Sequence, residues 1–581
     1  MLHRTGSSHL RVVLLASVAL ALPAAMVTDA VAQPAAPPSA NALIDRHTAT
    51  GNFLAARQAQ RMRDSTAASQ LIRDALRIDP NNAEFLTRAT SIYLEDGQFD
   101  LAADAARRAA ALGPSPQLGT FTLAAAAMKS NSYSEAATLL TGLPINGINR
   151  VLVPMMRDWA AAGMGDTADA LDQLKPLAEI NGFRAFGEWH AAMIEDLAGH
   201  NAEAEMRYRK ALELETPPAT RLVEAAGGFF ERQGAAPAAR EIYSAYLKLA
   251  PDSPVVAAAL ARAGVGPAPA RLVASATQGY AEALFNIAAA LRLDNSNQQA
   301  LLYGRMALAL APNSQAALLL VADTLEALDL RAAAVALYEK LPSDAPQSYA
   351  AQIKIADNLN QLGKSDDAVR RLNALAAADT SRPDALIAVG QILRGKEDYA
   401  QAADAFTRAM ARIPRIEARH WPLLYSRAIS YERAKDWPKA EADFLKALEL
   451  QPEQPDVMNY LAYSWVEQGV NFERARTMLE RAVALRPNSG HIVDSLGWVL
   501  YRTGQIAESV PILERAVELQ PTDAVLLDHL GDALWRVGRT NEARFQWRRS
   551  LGNNPEPELK AQLERKIERG LDPLPTGAKP I

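Results

Sequence analysis

The chain has no cysteine in its 581 residues. That excludes disulfides, thiolate metal ligands and a cysteine nucleophile, and it leaves no cysteine to carry a lipid anchor. Strand-like alternation of apolar and polar residues is missing as well, so nothing competes with a helical period. Past the first thirty-two residues there is no apolar run long enough to cross a bilayer. A basic surplus is also lacking: the formal charge is −5, which gives no general field for nucleic acid. What the chain has in quantity is apolar residues, 49 % and many of them alanine, the side chain that interlocking helices need where they touch.

The signatures of catalysis fail one by one. Gly363-Lys364-Ser365 ends like a phosphate-binding loop, but the glycine required five residues earlier is Asn358. Gly163 to Ala168 matches a dinucleotide fingerprint on paper, yet it follows a helical pattern rather than a strand. His190, His200, His420, His491 and His529 are scattered, none with a second histidine one helical turn away as a zinc site would want. There is no Gly-x-Ser-x-Gly turn. The reading is of a non-enzyme with no catalytic residue, no metal and no cofactor.

Residues 1–32 have the layout of a secretory signal: Arg4 and Arg11, an apolar Val12–Leu22, and Ala30-Val31-Ala32 before Gln33. Cleavage there makes the remainder one charge more negative and predicts a periplasmic or secreted protein with no integral membrane segment. Residues 33–50 read as a Pro/Ala tether.

The rest is periodic. DSLGWVLYRTGQIAESVPILERAVELQP lies over TDAVLLDHLGDALWRVGRTNEARFQWRRSLGNNP at a shift of 34 residues, matching Gly497 to Gly531, Gly504 to Gly538, Ser509 to Ala543, Leu513 to Trp547 and Pro521 to Pro555. The small residues let two antiparallel helices approach, with Ser509 and Ala543 meeting the glycines; the glycine turns the chain and the proline stops the second helix. This pattern resembles the tetratricopeptide repeat. Small anchors recur at 56, 90, 124, 158, 192 and 227, then at 288, 322, 356, 390, 428, 462, 497 and 531.

The fold class predicted is all-α, a helix-turn-helix solenoid of about fourteen repeats in two arrays. The resemblance implies a right-handed superhelix. Residues 51–251 form the first array, 252–279 a degenerate repeat or bend, 280–555 the second array and 556–581 a capping helix and tail. No room remains for another domain.

First helices line the concave face of such a solenoid. Their stripe in the last repeats brings forward Tyr425, Asn459, Tyr463, Asp494, Trp498, Tyr501, Arg502, Asp528, Asp532, Trp535 and Arg536 as a groove for protein or peptide partners. Asp323, Glu326 and Asp357 make the middle of that face acidic. The C-terminal repeats also resemble long exported repeat proteins of Gram-negative bacteria, among them lipoprotein adaptors that present substrates to a C-terminal processing protease. This chain departs from those adaptors in lacking the lipidated cysteine. It also lacks the Lys/Asn clamp that chaperone-binding relatives use, since Asp494 and Asp528 stand on the stripe.

The expectation is a non-catalytic periplasmic scaffold or adaptor, serving an envelope protease or cell-wall enzymes. The alternatives are a subunit of an envelope polysaccharide or protein export assembly, and an enzyme with a site across 252–279. Association of copies through the array ends is compatible with the sequence.

Overall fold

The computed structural model describes residues 48–572. The signal segment, all but the last three residues of the tether, and tail residues 573–581 lie outside the described residues. Within them the chain forms thirty α-helices and no strand. The helices run as antiparallel pairs, each packed on the next, which is the solenoid expected of the period.

The anchors explain the pairing. Ala56, Ala124, Ala192, Ala288, Ala322, Ala356, Ala428 and Ala462 are wholly buried, and Thr90 is 3 % exposed. Where the anchor is glycine, the reason is the side chain above it. A Cβ on Gly531 would lie 2.4 Å from the Trp547 indole, and one on Gly497 would lie 2.6 Å from Leu513. Tyr243 covers Gly227 and Phe406 covers Gly390 in the same way. The covering residue stands sixteen positions after the anchor in all four cases. Ser509 and Ala543, one turn before the covering residue on the same second helices, are wholly buried as well.

Seven residues after each of the fourteen anchors the backbone enters the left-handed region. Gly504 and Gly538 do so at φ 84° and 85°, where a residue without Cβ adopts the conformation freely. Arg63, Asn131, Asn295, Asp329, Glu397 and Lys435 make the same turn with a Cβ present, at a cost of about 1 kcal/mol each that pair packing offsets.

Two compact units result, one through Lys364 and one from Ser365. Residues 252–279, read from the sequence as a degenerate repeat or bend, lie inside the first unit. They form helix Pro254–Arg262 and then irregular chain to Ser275, the cap of helix Ala276–Leu293.

The first unit folds back on itself. Helix Ala276–Leu293 packs on Asn149–Gly163 and also reaches Gln117–Lys129 and Arg184–Ala198; helix Asn297–Leu310 packs on Ala83–Glu95 and Gln117–Lys129. The helices receiving them are first helices of their pairs, so the face that the solenoid would present to a partner is covered by later repeats. Thr277 donates to the Met128 carbonyl at 2.8 Å, and Arg63 Nη1 to the Leu328 carbonyl at 2.6 Å. One continuous apolar core runs from Phe53 to Leu320.

That closure buries polar groups. Trp159 donates through Nε1 to His190 Nδ1 at 2.9 Å, and the Asn286 amide faces His190 Nε2 at 3.1 Å. Burial drives the His190 pKa down to about 3, so the ring is neutral. Asp158 stands at an anchor position, fully buried, and burial lifts its pKa well above its ordinary value.

The second unit stacks its pairs from Ser365–Ala378 to Thr540–Leu551 and ends with helix Pro557–Arg569. That last helix buries Leu563 against Leu527, Leu530 and Trp547 in one cluster, closing the final apolar face as a capping helix does.

The closure gives a testable position. A Cβ on Gly279 would stand 2.1 Å from the Trp159 ring. Ala at a helical glycine ordinarily stabilises, but here Gly279→Ala should cost the first unit about 1–3 kcal/mol by overpacking. Denaturant unfolding checks the sign, and protease cutting between 263 and 275 should accelerate in the variant. An unchanged midpoint and cutting rate would mean that helix Ala276–Leu293 is not seated as described.

Candidate functional site

The stripe predicted in the C-terminal repeats lies on helices Trp421–Arg433, Pro455–Gln468, Gly490–Arg502 and Ala524–Arg536. All four turn the chain at the anchor-plus-seven residue, so equivalent side chains recur from helix to helix on one face. The structure divides the eleven candidate residues into three groups.

Tyr425 belongs to the packing between pairs. Its ring centroid lies 6.0 Å from that of Phe444 and 6.1 Å from that of Tyr460, and burial pushes its phenol up to about 12.

Asp528, Asp532, Trp535 and Arg536 are covered by the end of the chain. Lys566 Nζ lies 2.7 and 2.8 Å from the two Asp528 oxygens and 2.9 Å from Asp532 Oδ2. Trp547 Nε1 donates to Asp532 Oδ1 at 3.0 Å. Gly570 crosses Trp535 so closely that a Cβ there would meet the indole, and Arg536 Nη1 donates to the Asp572 carbonyl at 2.7 Å. The arginine-rich second helix contributes Arg544, whose guanidinium sits 4.8 Å from the Trp535 centroid.

Asn459, Tyr463, Asp494, Trp498, Tyr501 and Arg502 form the remaining group. Trp498 stacks on Tyr501 at 4.8 Å and on His529 at 3.9 Å, both nearly parallel. Its Nε1 donates to Glu467 at 2.6 Å, and Arg502 reaches the same carboxylate at 3.3 Å. Asp494 is buried, with Oδ2 2.8 Å from His529 Nδ1. Asn459, Tyr463 and Asp494 line a cleft of about 500 Å³ together with Glu432, Glu467 and Asp523.

Glu467, His529 and Lys566 were missed by the sequence reading. Lys566 was findable: it follows by one the place where the next anchor would fall, Arg565, and so holds the register of Trp498 and Asp532. His529 holds the register of Tyr460, two before its anchor, and both rings pack back on the preceding pair. Glu467, half-exposed and one past the stripe, gave no signal.

Asp323 and Glu326 of the first unit are not free acids. Lys354 bridges them, and the Tyr338 hydroxyl lies within hydrogen-bond distance of both. The stretch raised as an enzyme site lines a cleft of about 670 Å³, but its charges satisfy each other: Arg221 with Glu282, Arg262 with Glu231, Arg271 with Asp196. Among the described residues no group of three or more His, Asp or Glu is placed to hold a metal ion, and no helix is long and apolar enough to cross a membrane.

Charge in the cap is set by burial. Burial raises the Asp532 pKa to about 6, with Asp528 adding to it and Lys566 opposing. Burial works against a charged His529, but the Asp494 carboxylate outweighs it and the His529 pKa is raised.

Two sequence profiles described as "Tetratricopeptide repeat" match the chain, one over residues 337–559 and one over 53–117 and 198–254. A TPR repeat-containing protein of Pseudomonas aeruginosa is 29 % identical over 163 residues, which is 27 % of this chain and 26 % of the relative, so the match spans about a quarter of that protein's length. Among solved structures, a tetratricopeptide repeat protein from Parabacteroides merdae aligns with 50 % of this chain and 99 % of its own at 15 % identity and TM-score 0.35. The yeast Tom70 structure aligns with 90 % of this chain and 95 % of its own at 14 % identity and TM-score 0.31.

The cap makes a pH prediction. A carboxyl whose folded pKa exceeds its ordinary 3.8 stabilises most when protonated, so the Asp532 contribution falls as pH rises from about 4 to about 6. The raised His529 adds stability below its ordinary 6.5 that is lost as pH climbs through its folded value. Amide-exchange protection of 557–569, corrected for intrinsic rates, should therefore fall between pH 5 and pH 8 (by about 1–3 kcal/mol in opening free energy). Asp532→Asn should flatten the lower part of that slope. Protection that rises with pH would contradict the assignment.

Proposed function

The chain belongs to the tetratricopeptide repeat family, and we propose that it is a non-catalytic scaffold of the cell envelope that holds a segment of a protein partner along the C-terminal helix pairs. Proteins of this family generally bind other proteins. The observation that carries the finer reading is the cleft at Asn459, Tyr463 and Asp494. The surface one repeat further on is covered by Lys566 and Gly570, and the concave face of repeats in the first unit is covered by helices Ala276–Leu293 and Asn297–Leu310. The cleft lies on the stripe outside both covers, and there Tyr463, Asn459 and the Glu432, Glu467 and Asp494 carboxylates line one opening. Tyrosine gives contact area at low entropic cost, and the charged groups fix register.

The envelope location rests on Arg4, Arg11, the apolar Val12–Leu22 and Ala30-Val31-Ala32. The absence of cysteine fits a protein that needs no disulfide after export. Within the envelope, the role is to hold a client for a protease or to organise cell-wall enzymes.

Two measurements check this. Mass spectrometry of the protein from cells should give an N-terminus at Gln33; retention of Met1 would defeat the export reading. As bait in an envelope extract, the protein should retain a discrete partner that a doubly substituted bait, Asn459→Ala with Tyr463→Ala, retains at least about tenfold less. Equal retention by both baits, with matched circular dichroism, would place binding elsewhere on the molecule.

A further inference from the structure

The cleft contains two acceptor oxygens that no group in the chain satisfies. Asp494 is 3 % exposed, its Oδ2 accepts from His529, and its Oδ1 has no hydrogen-bond partner. Asn459, at the equivalent position one repeat earlier, has an unpartnered buried Oδ1. Both residues line the cleft. Buried carboxylate and amide oxygens normally have donors, so a pair without them on one wall marks a place where a donor arrives from outside.

The charge around them says which donor. The lining carries Glu432, Glu467, Asp494 and Asp523 against Arg433 and His491. Glu432 already accepts from Tyr460, and Glu467 from Trp498 and Arg502. Those bonds hold the carboxylates in place without removing the negative surplus. One repeat further along the same stripe, Asp528 and Asp532 face the same problem, and there the chain itself supplies the answer: the Lys566 ammonium lies between them. Asn459, Asp494 and Asp528 hold one register position, so the cap shows what this stripe takes when it is filled.

We propose that the cleft is a site for a lysine or arginine side chain on an extended basic segment of the protein partner, donating to Asp494 Oδ1 and Asn459 Oδ1. The aliphatic stem lies along Tyr463, whose half-buried ring lines the cleft beside them. The cation is recognised as a charge-assisted donor, the strong form of hydrogen bond. Selectivity follows from the same groups, since an acidic segment meets four carboxylates and leaves both orphaned oxygens unanswered. The inference deepens the scaffold reading and rests on the same groove.

The test uses the purified protein and short capped peptides that carry lysine at alternate positions, with norleucine and glutamate counterparts of the same length. By fluorescence anisotropy the lysine peptide should bind at least about tenfold more tightly than the norleucine peptide, and the glutamate peptide should not bind. Asp494→Asn should remove most of that preference. Because this change also disturbs His529, Asn459→Asp supplies a gain that a folding defect cannot imitate: it should tighten the lysine peptide by about tenfold. Equal binding of the lysine and norleucine peptides, or no tightening by Asn459→Asp, overturns the proposal. If the lysine peptide fails while the Asn459→Ala/Tyr463→Ala bait still loses its partner, the groove binds by other chemistry and the scaffold reading survives. If that bait loses nothing either, both readings fall.

Discussion

The close approach of two helices at a small, buried anchor is the constraint on which everything else in this protein depends. Trp547 over Gly531, Leu513 over Gly497, Phe406 over Gly390 and Tyr243 over Gly227 hold the two helices of a pair at a distance that no β-carbon on the first helix would permit. Once pairs are fixed in this way, each has two faces left to bury, and only stacking buries them. The arrangement has no natural end. A solenoid must close its last face and must do something with the concave surface its first helices line. The two units solve this differently. The first covers much of its concave face with its own later repeats, and the second closes its end with helix Pro557–Arg569 while leaving the cleft at Asn459, Tyr463 and Asp494 open.

Much of the fold was legible because it is written in steric absences. The anchors needed only be small, and they recur at a spacing that survives insertions. The turns were half-legible: where Gly504 stands the residue type announces the conformation, but Lys435 and Glu397 adopt it with no trace in their chemistry. The fold-back was not legible at all. Helix Ala276–Leu293 keeps the composition of any repeat helix, and what distinguishes it is a partner more than a hundred residues earlier in the chain. Periodicity reports what is adjacent, and it is silent about what returns.

The groove residues were legible as a face and illegible as a site. Register alone places Asn459, Tyr463, Asp494, Trp498, Asp528 and Trp535 on one side of their helices, and the structure puts them there. Whether each meets solvent, a neighbouring pair or the chain's own terminus depends on groups such as His529, Lys566 and Gly570. These act across the boundary between repeats. His529 and Lys566 each face an aspartate of the preceding pair, so the acids on this face find partners from the C-terminal side, one step at a time. The step that would serve Asn459 is empty, since in the next pair the registers of His529 and Lys566 are held by Ser495 and Trp498.

The return of helix Ala276–Leu293 also fixes an order of events during synthesis. In an open solenoid each repeat can settle as soon as its neighbour exists, because contacts are local. Here Met128 awaits Thr277 across 149 residues, and Arg63 meets the Leu328 carbonyl across 265. The first five pairs therefore emerge with their apolar concave face bare and stay so until roughly half the chain has been made. Long loops of this kind slow folding and prolong the exposure of sticky surface.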